Sequence, residues 1–304
     1  MTRLTLKQLY YFDALARQRH FGRAAEMCAI TQPALSMQMK DLEETLGTPL
    51  FERGPRQVRL TGFGEVFVER VQGILRAVDE LGDLARVARG KLRGRLRIGV
   101  IPTIAPYLLP RIVRRIAADF PDADLQLRET VTPKLLQELT EGRLDAAILA
   151  LPISDPGLTE MPLFNEAFVL VRHETDAARP VPGREDLREM RLLLLEEGHC
   201  FRDQALSFCE IQPSPAREIL NGSSLATLVQ MVGAGIGVTL IPEMAVAVET
   251  RSAPVAVARF AEPQPERTVG MVWRQTSPLS GQLRELALIV RQVATGAETE
   301  PAPR

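Results

Sequence analysis

Cysteine and long apolar runs are scarce in this sequence, and each shortage excludes a class of protein. The three cysteines, Cys28, Cys200 and Cys209, are too few for the disulfide framework of a small secreted domain. No apolar run approaches the roughly 18 residues that span a membrane. The charged N-terminal stretch also lacks the apolar block of a signal peptide. We therefore expect a cytoplasmic protein without membrane contact.

Ligands for a metal ion are equally sparse. The three histidines are His20, His173 and His199, and only His199 is next to a cysteine in the sequence. A closed metal site usually takes four ligands, so His199, Cys200 and Cys209 make an incomplete set. The sequence predicts no metal and no cofactor.

Charge is unevenly distributed, although the net charge of the 304 residues is only -1. Residues 1–60 carry nine basic and six acidic side chains, which leaves 28 basic and 32 acidic side chains for the remainder. A chain of this length usually divides into two or more domains with separate cores. The basic N-terminal end is the better candidate for contact with phosphate groups.

Three short helices are predicted within the first 60 residues. Apolar residues recur at helical spacing in the first helix, a second helix is expected near 22–28, and a third from about 32 to 46. Thr31 suits the N-cap of the third helix, and Pro33 is tolerated in its first turn, where backbone N–H groups lack intrahelical partners. Gly47 is expected to end it.

The third helix has an apolar and a polar face. Its core-facing residues are expected to be Leu35, Met39, Leu42 and Leu46. A helix fits the major groove of DNA, with its N-terminal side chains at the base edges, so Gln32 and Ser36 are placed to read bases. Arginines of the following Pro/Gly-rich hairpin would meet phosphates. The predicted DNA-contacting residues are Thr31, Gln32, Pro33, Ser36, Gln38, Lys40, Arg53, Arg56 and Arg59.

A single long helix is predicted from Thr61 to about residue 90. Its apolar residues alternate steps of four and three, a 3.5-residue period that is typical of a coiled-coil seam. These residues are Phe67, Val71, Ile74, Val78, Leu81 and Ala85. We predict a linker and dimerisation helix over 61–90. An amphipathic helix packed on its own domain stays an alternative, because fewer than four heptads are present.

Residues 91–295 alternate between strand-like and helical patterns, which predicts an α/β fold with largely parallel sheets. The strand-like runs are 96–101, 125–129, 146–151, 168–171, 192–195, 237–241 and 268–273. The span is long enough for two subdomains. Ligands of open α/β sheets bind beyond the carboxyl ends of strands, so the loop after Ile101, which contains Thr103, is a candidate pocket wall. The tail, 296–304, has little to bury and is predicted to be disordered.

Residues 21–64 resemble the N-terminal domain of LysR-type transcriptional regulators. The resemblance is carried by AA in the second helix, QPALS at the start of the third, LE near its end, and the runs LGTPLFER and LTGFG. Several motifs in order are more specific than a bare helix-turn-helix pattern. The resemblance continues towards the C-terminus and implies homodimers that pair into homotetramers on double-stranded promoter DNA.

The same resemblance implies the architecture of the whole chain. It predicts a winged helix-turn-helix domain over 1–60, the linker helix, and a regulatory domain over 91–295. The regulatory domain would consist of two Rossmann-like subdomains, as in periplasmic binding proteins. Subdomain I would comprise about 91–164 and 267–295, and subdomain II about 165–266.

Cys200 lies in the run LLLLEEGHCFRDQALSFCEIQ, after a buried-looking strand and at the start of a predicted helix. A helix N-terminus and the neighbours His199 and Arg202 favour thiolate over thiol, and thiolate is the species that attacks peroxide. Cys200 is therefore the candidate peroxidatic residue. Its sulfenic acid would condense with a second thiol, and Cys209 is the nearest cysteine in sequence.

A disulfide between these cysteines is incompatible with a continuous helix. Nine helical residues rise about 13.5 Å, whereas the Cα atoms of bridged cysteines lie within roughly 7 Å. Oxidation would have to refold the segment, which supplies the two-state element of a switch. Periodicity alone is equally consistent with an inert, buried Cys209. Cys28 is expected to be an ordinary core residue.

The cysteine region resembles the hydrogen-peroxide sensors of the LysR family. The resemblance is carried by GHCFRDQALSFC, together with IPTIAPYLLP, PLF and RTVGMVW. It implies that Cys200 is peroxidatic and Cys209 resolving. The peroxide pocket that it implies consists of Thr103, Thr132, His199, Arg202, Asp203 and Arg267, with Thr130 as the alternative to Thr132.

The implied function is a peroxide-responsive regulator rather than an enzyme. Its partners would be promoter DNA, RNA polymerase, and glutaredoxin or thioredoxin as the reductant. Two alternatives stay open: a LysR-type regulator that binds a small organic anion between its subdomains, and a thiol peroxidase with a DNA-binding domain. A winged domain and a dimer helix have no use in a peroxidase, so we favour the regulator.

Overall fold

The structure is a computed structural model that describes residues 4–52, 58–87, 94–209 and 221–296. The chain divides into two compact units between Ala85 and Arg86. The predicted phosphate contacts Arg53 and Arg56, the last residues of the predicted linker and positions 297–304 of the predicted tail lie outside the described residues. Among the described residues, no helix combines the length and apolar character needed to cross a membrane.

The N-terminal unit contains three short helices, a pair of short strands and one long helix. These elements are α1 (Leu6–Gln18), α2 (Phe21–Met27), α3 (Gln32–Leu46), β1 (Phe51–Glu52), β2 (Arg59–Leu60) and α4 (Gly62–Val87). β1 and β2 pair antiparallel, as the base of a wing does. The predicted winged helix-turn-helix and long helix are confirmed.

Helix α3 begins and ends where local chemistry predicts. Thr31 is its N-cap, and the Thr31 hydroxyl accepts a hydrogen bond from the Ala34 backbone N–H at 3.4 Å. Pro33 lies in the first turn, and Gly47 ends the helix in the left-handed conformation, at φ 68°.

The core of this unit surrounds Phe12. The Phe12 ring contacts those of Phe51 and Phe67, at centroid distances of 5.4 and 5.1 Å. Helix α3 contributes three of its four predicted core residues, whereas Leu46, in the last turn, is only half-buried. The three that are buried are Leu35, Met39 and Leu42.

The predicted seam of α4 divides into a buried and an exposed part. Val71 is buried and Phe67 packs against the same core. This part of α4 therefore fits the alternative interpretation, in which the helix packs on its own domain. From Ile74 onwards the described side chains of the seam are exposed, Ile74 by 46% and Leu81 by 65%. The second part of the seam is therefore uncovered in a single chain. The side chain of Ala85 lies outside the described set.

The C-terminal unit alternates strands and helices, as predicted. Its elements are β3 (Gly94–Val100), α5 (Ala105–Asp119), β4 (Ala123–Glu129), α6 (Thr132–Thr140), β5 (Ala146–Leu151), β6 (Leu158–His173), α7 (Arg184–Glu189), β7 (Leu194–Leu195), α8 (Cys200–Cys209), β8 (Asn221–Gly222), α9 (Leu225–Gly233), β9 (Thr239–Pro242), α10 (Val246–Glu249), β10 (Val255–Arg259), β11 (Glu266–Arg274) and α11 (Ser280–Thr295).

The main sheet is mixed, so the prediction of largely parallel sheets is wrong. Within the described residues its order is β10-β6-β11-β5-β3-β4, and β9 also pairs with β6. Strand β3 runs parallel to β4 and β5, but β11 is antiparallel to both β5 and β6. Strands β9 and β10 are antiparallel to β6. An apolar run predicts a strand, whereas the strand's direction depends on distant partners.

Strand β6 links two hydrophobic clusters. Its first part pairs with β11, and its last part pairs with β9 and β10. One cluster gathers β3, β5, β11, α5 and α11 around Trp273, and the other gathers the end of β6 with α8 and α9 around Phe168. The Phe168 ring meets that of Phe201 at a centroid distance of 4.8 Å, which ties α8 to the second cluster.

Candidate redox pocket and DNA-reading surface

A tight pocket, here called the Cys200 pocket, forms where three segments meet at the N-terminus of α8. It is lined by Ile101, Pro102, Thr103, Val131, Thr132, His199, Cys200 and Phe201. The first three follow β3, as expected for a ligand site beyond a strand's carboxyl end. Its lining is packed so closely that no space remains for a water-sized sphere, so even a ligand of a few atoms requires the lining side chains to move apart.

The turn into α8 depends on Gly198. This residue has φ +91°, in the left-handed region that favours glycine, and a Cβ there would lie 3.6 Å from the Val131 side chain. The turn brings His199 and Cys200 beside Thr132 at the start of α6. The local sequence EEGHC therefore forms the turn before α8 and places Cys200, the first residue of that helix, in the pocket lining.

Cys200 is the first residue of α8, and its side chain is half-buried against the first hydrophobic cluster. The backbone N–H groups of the first helical turn lack intrahelical partners and carry partial positive charge. The position therefore suits an attacking thiolate with limited access to solvent.

Thr103 is held in the pocket wall by Arg267. Arg267 Nη1 donates to Thr103 Oγ1 at 2.7 Å, and Nη2 donates to the Thr103 carbonyl oxygen at 3.0 Å. Both residues are buried. Because the Thr103 oxygen accepts from Arg267, its single hydrogen is left to donate to a ligand. Arg267 thus acts on the pocket through Thr103.

Thr132 and His199 complete the polar lining. Within the described residues, the buried Thr132 hydroxyl oxygen has no hydrogen-bond partner, which is costly unless a ligand supplies one. Burial lowers the pKa of His199, although Glu196 acts in the opposite direction. The His199 ring is therefore neutral near pH 7 and can both donate and accept a hydrogen bond.

Three residues of the predicted pocket lie apart from its lining: Arg267, which reaches it only through Thr103, and Arg202 and Asp203 of α8. Arg202 is buried, and its Nη1 donates to the Leu195 carbonyl oxygen at 3.0 Å. Asp203 is exposed on the first turn of α8. Neither side chain lines the Cys200 pocket. Sequence reasoning missed Glu166, whose Oε2 accepts from Arg267 Nε at 2.8 Å.

Cys209 ends α8 and is completely buried in the second hydrophobic cluster. Burial raises the pKa of the Cys209 thiol to about 11, against the opposing effects of Arg184 and Arg188. Ten intact helical residues separate the ends of α8 by about 13.5 Å. While α8 is intact, Cys209 is therefore protonated and beyond bonding distance of Cys200.

The pKa of Cys209 predicts a pH-dependent stability. Folding favours the neutral thiol, so this stabilisation is fully present below the unfolded-state pKa near 9 and is lost as the pH rises through about 11. Relative to Cys209→Ala, the reduced protein should lose about 2–3 kcal/mol of unfolding free energy over this range. Urea unfolding of both proteins with a phosphine reductant, at pH 8 to 11, measures the difference. Parallel pH profiles would contradict the burial of this thiol.

The predicted DNA-reading side of α3 is open to solvent. The residues exposed there are Thr31, Gln32, Pro33, Ser36 and Lys40, with Gln38 half-exposed. Arg59 is exposed on β2. The Glu43 carboxylate, another residue that sequence reasoning missed, accepts from the backbone N–H groups of Leu50 at 2.7 Å and Phe51 at 3.2 Å. It holds the start of the wing against α3.

Two protein families match this combination of a winged domain and a two-cluster α/β domain. Residues 6–65 match the bacterial regulatory helix-turn-helix protein, lysR family, and residues 89–295 match the LysR substrate binding domain. The chain belongs to the LysR family. The predicted resemblance and fold class of this LysR-family protein are thereby confirmed.

Relatives of this LysR-family protein include regulators named for peroxide. It is 43% identical over 293 residues to a probable hydrogen peroxide-inducible genes activator of Streptomyces viridosporus, covering 95% of this chain and 94% of the relative. It is 40% identical over 290 residues to the DNA-binding transcriptional dual regulator OxyR of Escherichia coli (strain K12), with 95% of each covered.

Solved structures of OxyR proteins resemble this LysR-family chain over nearly its full length. A full-length OxyR variant from Pseudomonas aeruginosa matches with a TM-score of 0.74 at 37% identity, covering 95% of this chain and 98% of that one. A mutant of Corynebacterium glutamicum OxyR described as H2O2-bound matches with a TM-score of 0.66 at 36% identity, covering 97% and 94%.

Proposed function

We propose that this protein is a hydrogen-peroxide-responsive transcription regulator, switched by a reversible disulfide between Cys200 and Cys209. The observation that carries the proposal is the Cys200 pocket. It places a half-buried thiol at a helix N-terminus beside two threonine hydroxyls, and the buried Thr132 oxygen has no partner among the described residues. Peroxide-inducible activators among the relatives support the same function.

The first step is oxidation of Cys200. The thiolate attacks one oxygen of hydrogen peroxide, the O–O bond breaks, and the other oxygen leaves as hydroxide and takes up a proton to become water. Cys200 becomes a sulfenic acid. The hydroxyls of Thr103 and Thr132 orient the peroxide and donate to its oxygens, where negative charge develops.

The second step joins the two cysteines. The Cys209 sulfur attacks the Cys200 sulfenic sulfur, an S–S bond forms and the S–O bond breaks, and the hydroxyl takes up the proton of the Cys209 thiol and leaves as water. Because the intact α8 separates the cysteines by about 13.5 Å, this step requires α8 to unwind and Cys209 to leave the second hydrophobic cluster. The covalent bond thus stabilises a second fold of the segment, which is the switch.

The switch acts on DNA through the assembly of the chain. The exposed part of the α4 seam, from Ile74 to Leu81, supports pairing with a second copy, and the family resemblance supports tetramers. Refolding of α8 changes the geometry of the homodimer or homotetramer, and so its contacts with double-stranded promoter DNA and RNA polymerase. Two electrons and two protons from glutaredoxin or thioredoxin regenerate both thiols.

The tight packing of the Cys200 pocket favours a ligand as small as peroxide over an organic effector. Pockets for drug-sized ligands usually enclose about 300–1,000 Å³, whereas this one leaves no space for a water-sized sphere. A small organic anion would therefore need a different site or an opened cleft. The exposed DNA-reading face of α3 supports a regulator rather than a thiol peroxidase.

DNA footprinting of the reduced full-length protein, before and after one equivalent of hydrogen peroxide, tests this function. The proposal predicts protection of promoter DNA in both states, with a changed boundary after oxidation that a thiol reductant reverses. Cys28→Ser is the matched control and should respond like the wild type, because Cys28 lies in the N-terminal unit, outside the Cys200 pocket. An unchanged footprint despite complete oxidation would contradict the regulator, and continuous peroxide turnover with a reductase would favour a peroxidase.

A further inference from the structure

We propose that Glu166 is a positioning residue for peroxide: it holds Arg267 so that the Thr103 hydroxyl donates its proton into the Cys200 pocket. The inference rests on the proposed function, because it assigns a role in the same oxidation. Glu166 lies outside the pocket lining. Its effect passes through Arg267 and Thr103.

The sheet register brings Glu166 and Arg267 together. They are directly opposite each other on the antiparallel strands β6 and β11. Glu166 Oε2 accepts from Arg267 Nε at 2.8 Å and lies 2.7 Å from Nη2. Glu166 Oε1 accepts from the Met244 backbone N–H at 3.0 Å. Both carboxylate oxygens are thus engaged, so the carboxylate has a defined position.

Burial makes Arg267 dependent on this carboxylate. The side chain of Arg267 is 0% exposed and that of Glu166 is 4% exposed. A buried guanidinium without a counter-charge is strongly unfavourable, and removal of one partner disturbs the other. The Phe201 ring, with its centroid 5.8 Å from Arg267 Cζ, covers the guanidinium on the side of α8. Glu166 therefore sets both the charge balance and the orientation of the guanidinium.

The orientation of Arg267 determines the direction of the Thr103 hydroxyl hydrogen. The Nε–H bond and one N–H bond of Nη2 are directed at Glu166. The planar guanidinium then presents Nη1 to Thr103 Oγ1 and the other N–H bond of Nη2 to the Thr103 carbonyl oxygen. Thr103 Oγ1 then accepts from Arg267 and retains one hydrogen for the pocket. As the Cys200 thiolate attacks and the O–O bond breaks, this hydrogen stabilises the oxygen that leaves as hydroxide.

The test compares two reagents that attack the same thiol. Iodoacetamide needs the Cys200 thiolate but no hydrogen bond from Thr103, whereas hydrogen peroxide needs both. Rate constants for each reagent are measured on the reduced full-length protein at fixed pH, by mass spectrometry of the Cys200 peptide. Glu166→Gln should slow peroxide oxidation by at least about tenfold, and change iodoacetamide alkylation by less than about twofold.

Further variants separate positioning from folding. Glu166→Asp keeps the buried negative charge, so it protects the fold, but its shorter side chain cannot hold Met244 and Arg267 together; it should show an intermediate loss. Thr103→Val should slow peroxide oxidation, and adding Glu166→Gln should slow it no further. Asp145→Asn is the matched control: Asp145 is a buried carboxylate that pairs with Arg97 at 2.7 Å but does not line the pocket. It should lower stability and leave the ratio of the two rate constants unchanged.

The outcomes distinguish this inference from the proposed function. If peroxide does not oxidise the wild-type Cys200 within minutes, the proposed function fails and the role of Glu166 fails with it. If the wild type reacts, the inference is overturned by variants of Glu166 that keep the wild-type ratio, by equal losses with both reagents, or by fully multiplicative losses in the double variant. Should Glu166→Gln not fold, Glu166→Asp decides by the same ratio.

Discussion

Cys200→Ser will abolish oxidation of the protein by one equivalent of hydrogen peroxide and, with it, the change in the DNA footprint. A serine hydroxyl in the same helix-terminal position is not ionised near neutral pH and does not attack peroxide. Removal of a nucleophile of this kind costs far more than a thousandfold in rate, about 10⁶-fold in a well-studied protease. Intact-protein mass spectrometry over the first minutes measures the loss directly.

The result also tests whether another cysteine can replace Cys200. Cys209 is buried with a pKa of about 11, and burial and Asp13 raise the pKa of Cys28. Both thiols are therefore protonated near pH 7 and should remain unmodified in the Cys200→Ser protein. Rapid oxidation of either cysteine in this variant would contradict the assignment of Cys200 as the reactive residue.

Cys209→Ser will stop the reaction at the sulfenic acid of Cys200. Cys209 lies at the far end of α8 in the second hydrophobic cluster, so its loss leaves the Cys200 pocket intact. The rate of the first oxidation should therefore stay within about twofold of the wild type, because about 13.5 Å of helix separates the two positions. No intramolecular disulfide should form.

Trapping with a 1,3-diketone such as dimedone, followed by peptide mapping, identifies the intermediate. The expected adduct is on Cys200 in Cys209→Ser and is nearly absent in the wild type, where the disulfide forms first. A disulfide between Cys200 and Cys28 in Cys209→Ser would show that the resolving thiol is not specified by α8. A tenfold slower first step would place Cys209 in the peroxide reaction itself.

Local chemistry explains which parts of the fold could be predicted from the sequence. The start and end of α3 depend on Thr31, Pro33 and Gly47, which act within one turn of their own position. The position of Cys200 at the start of α8 is local in the same way. The directions of β6 and β11 depend on partners far apart in sequence, and there the prediction was wrong.

The residues of the Cys200 pocket also divide into those that the local sequence indicates and those that depend on distant partners. Thr103 could be placed near a ligand site because it follows a predicted strand, whereas Thr132 and Arg267 were named only through a family resemblance. No sequence pattern marked Glu166, because its role depends on the register of β6 and β11, which places it opposite Arg267. The sequence could not separate Arg202 and Asp203 from the pocket lining, because α8 directs neighbouring side chains to different sides.

Hydrogen–deuterium exchange across α8, combined with thiol mapping after one equivalent of hydrogen peroxide, tests the central claim most directly. The account predicts that a Cys200–Cys209 disulfide forms within minutes and that the amides of α8 lose protection at the same rate, with both changes reversed by a thiol reductant. A disulfide formed while α8 keeps its protection, or thiols that stay unmodified over minutes, would contradict a switch in which the helix must unwind.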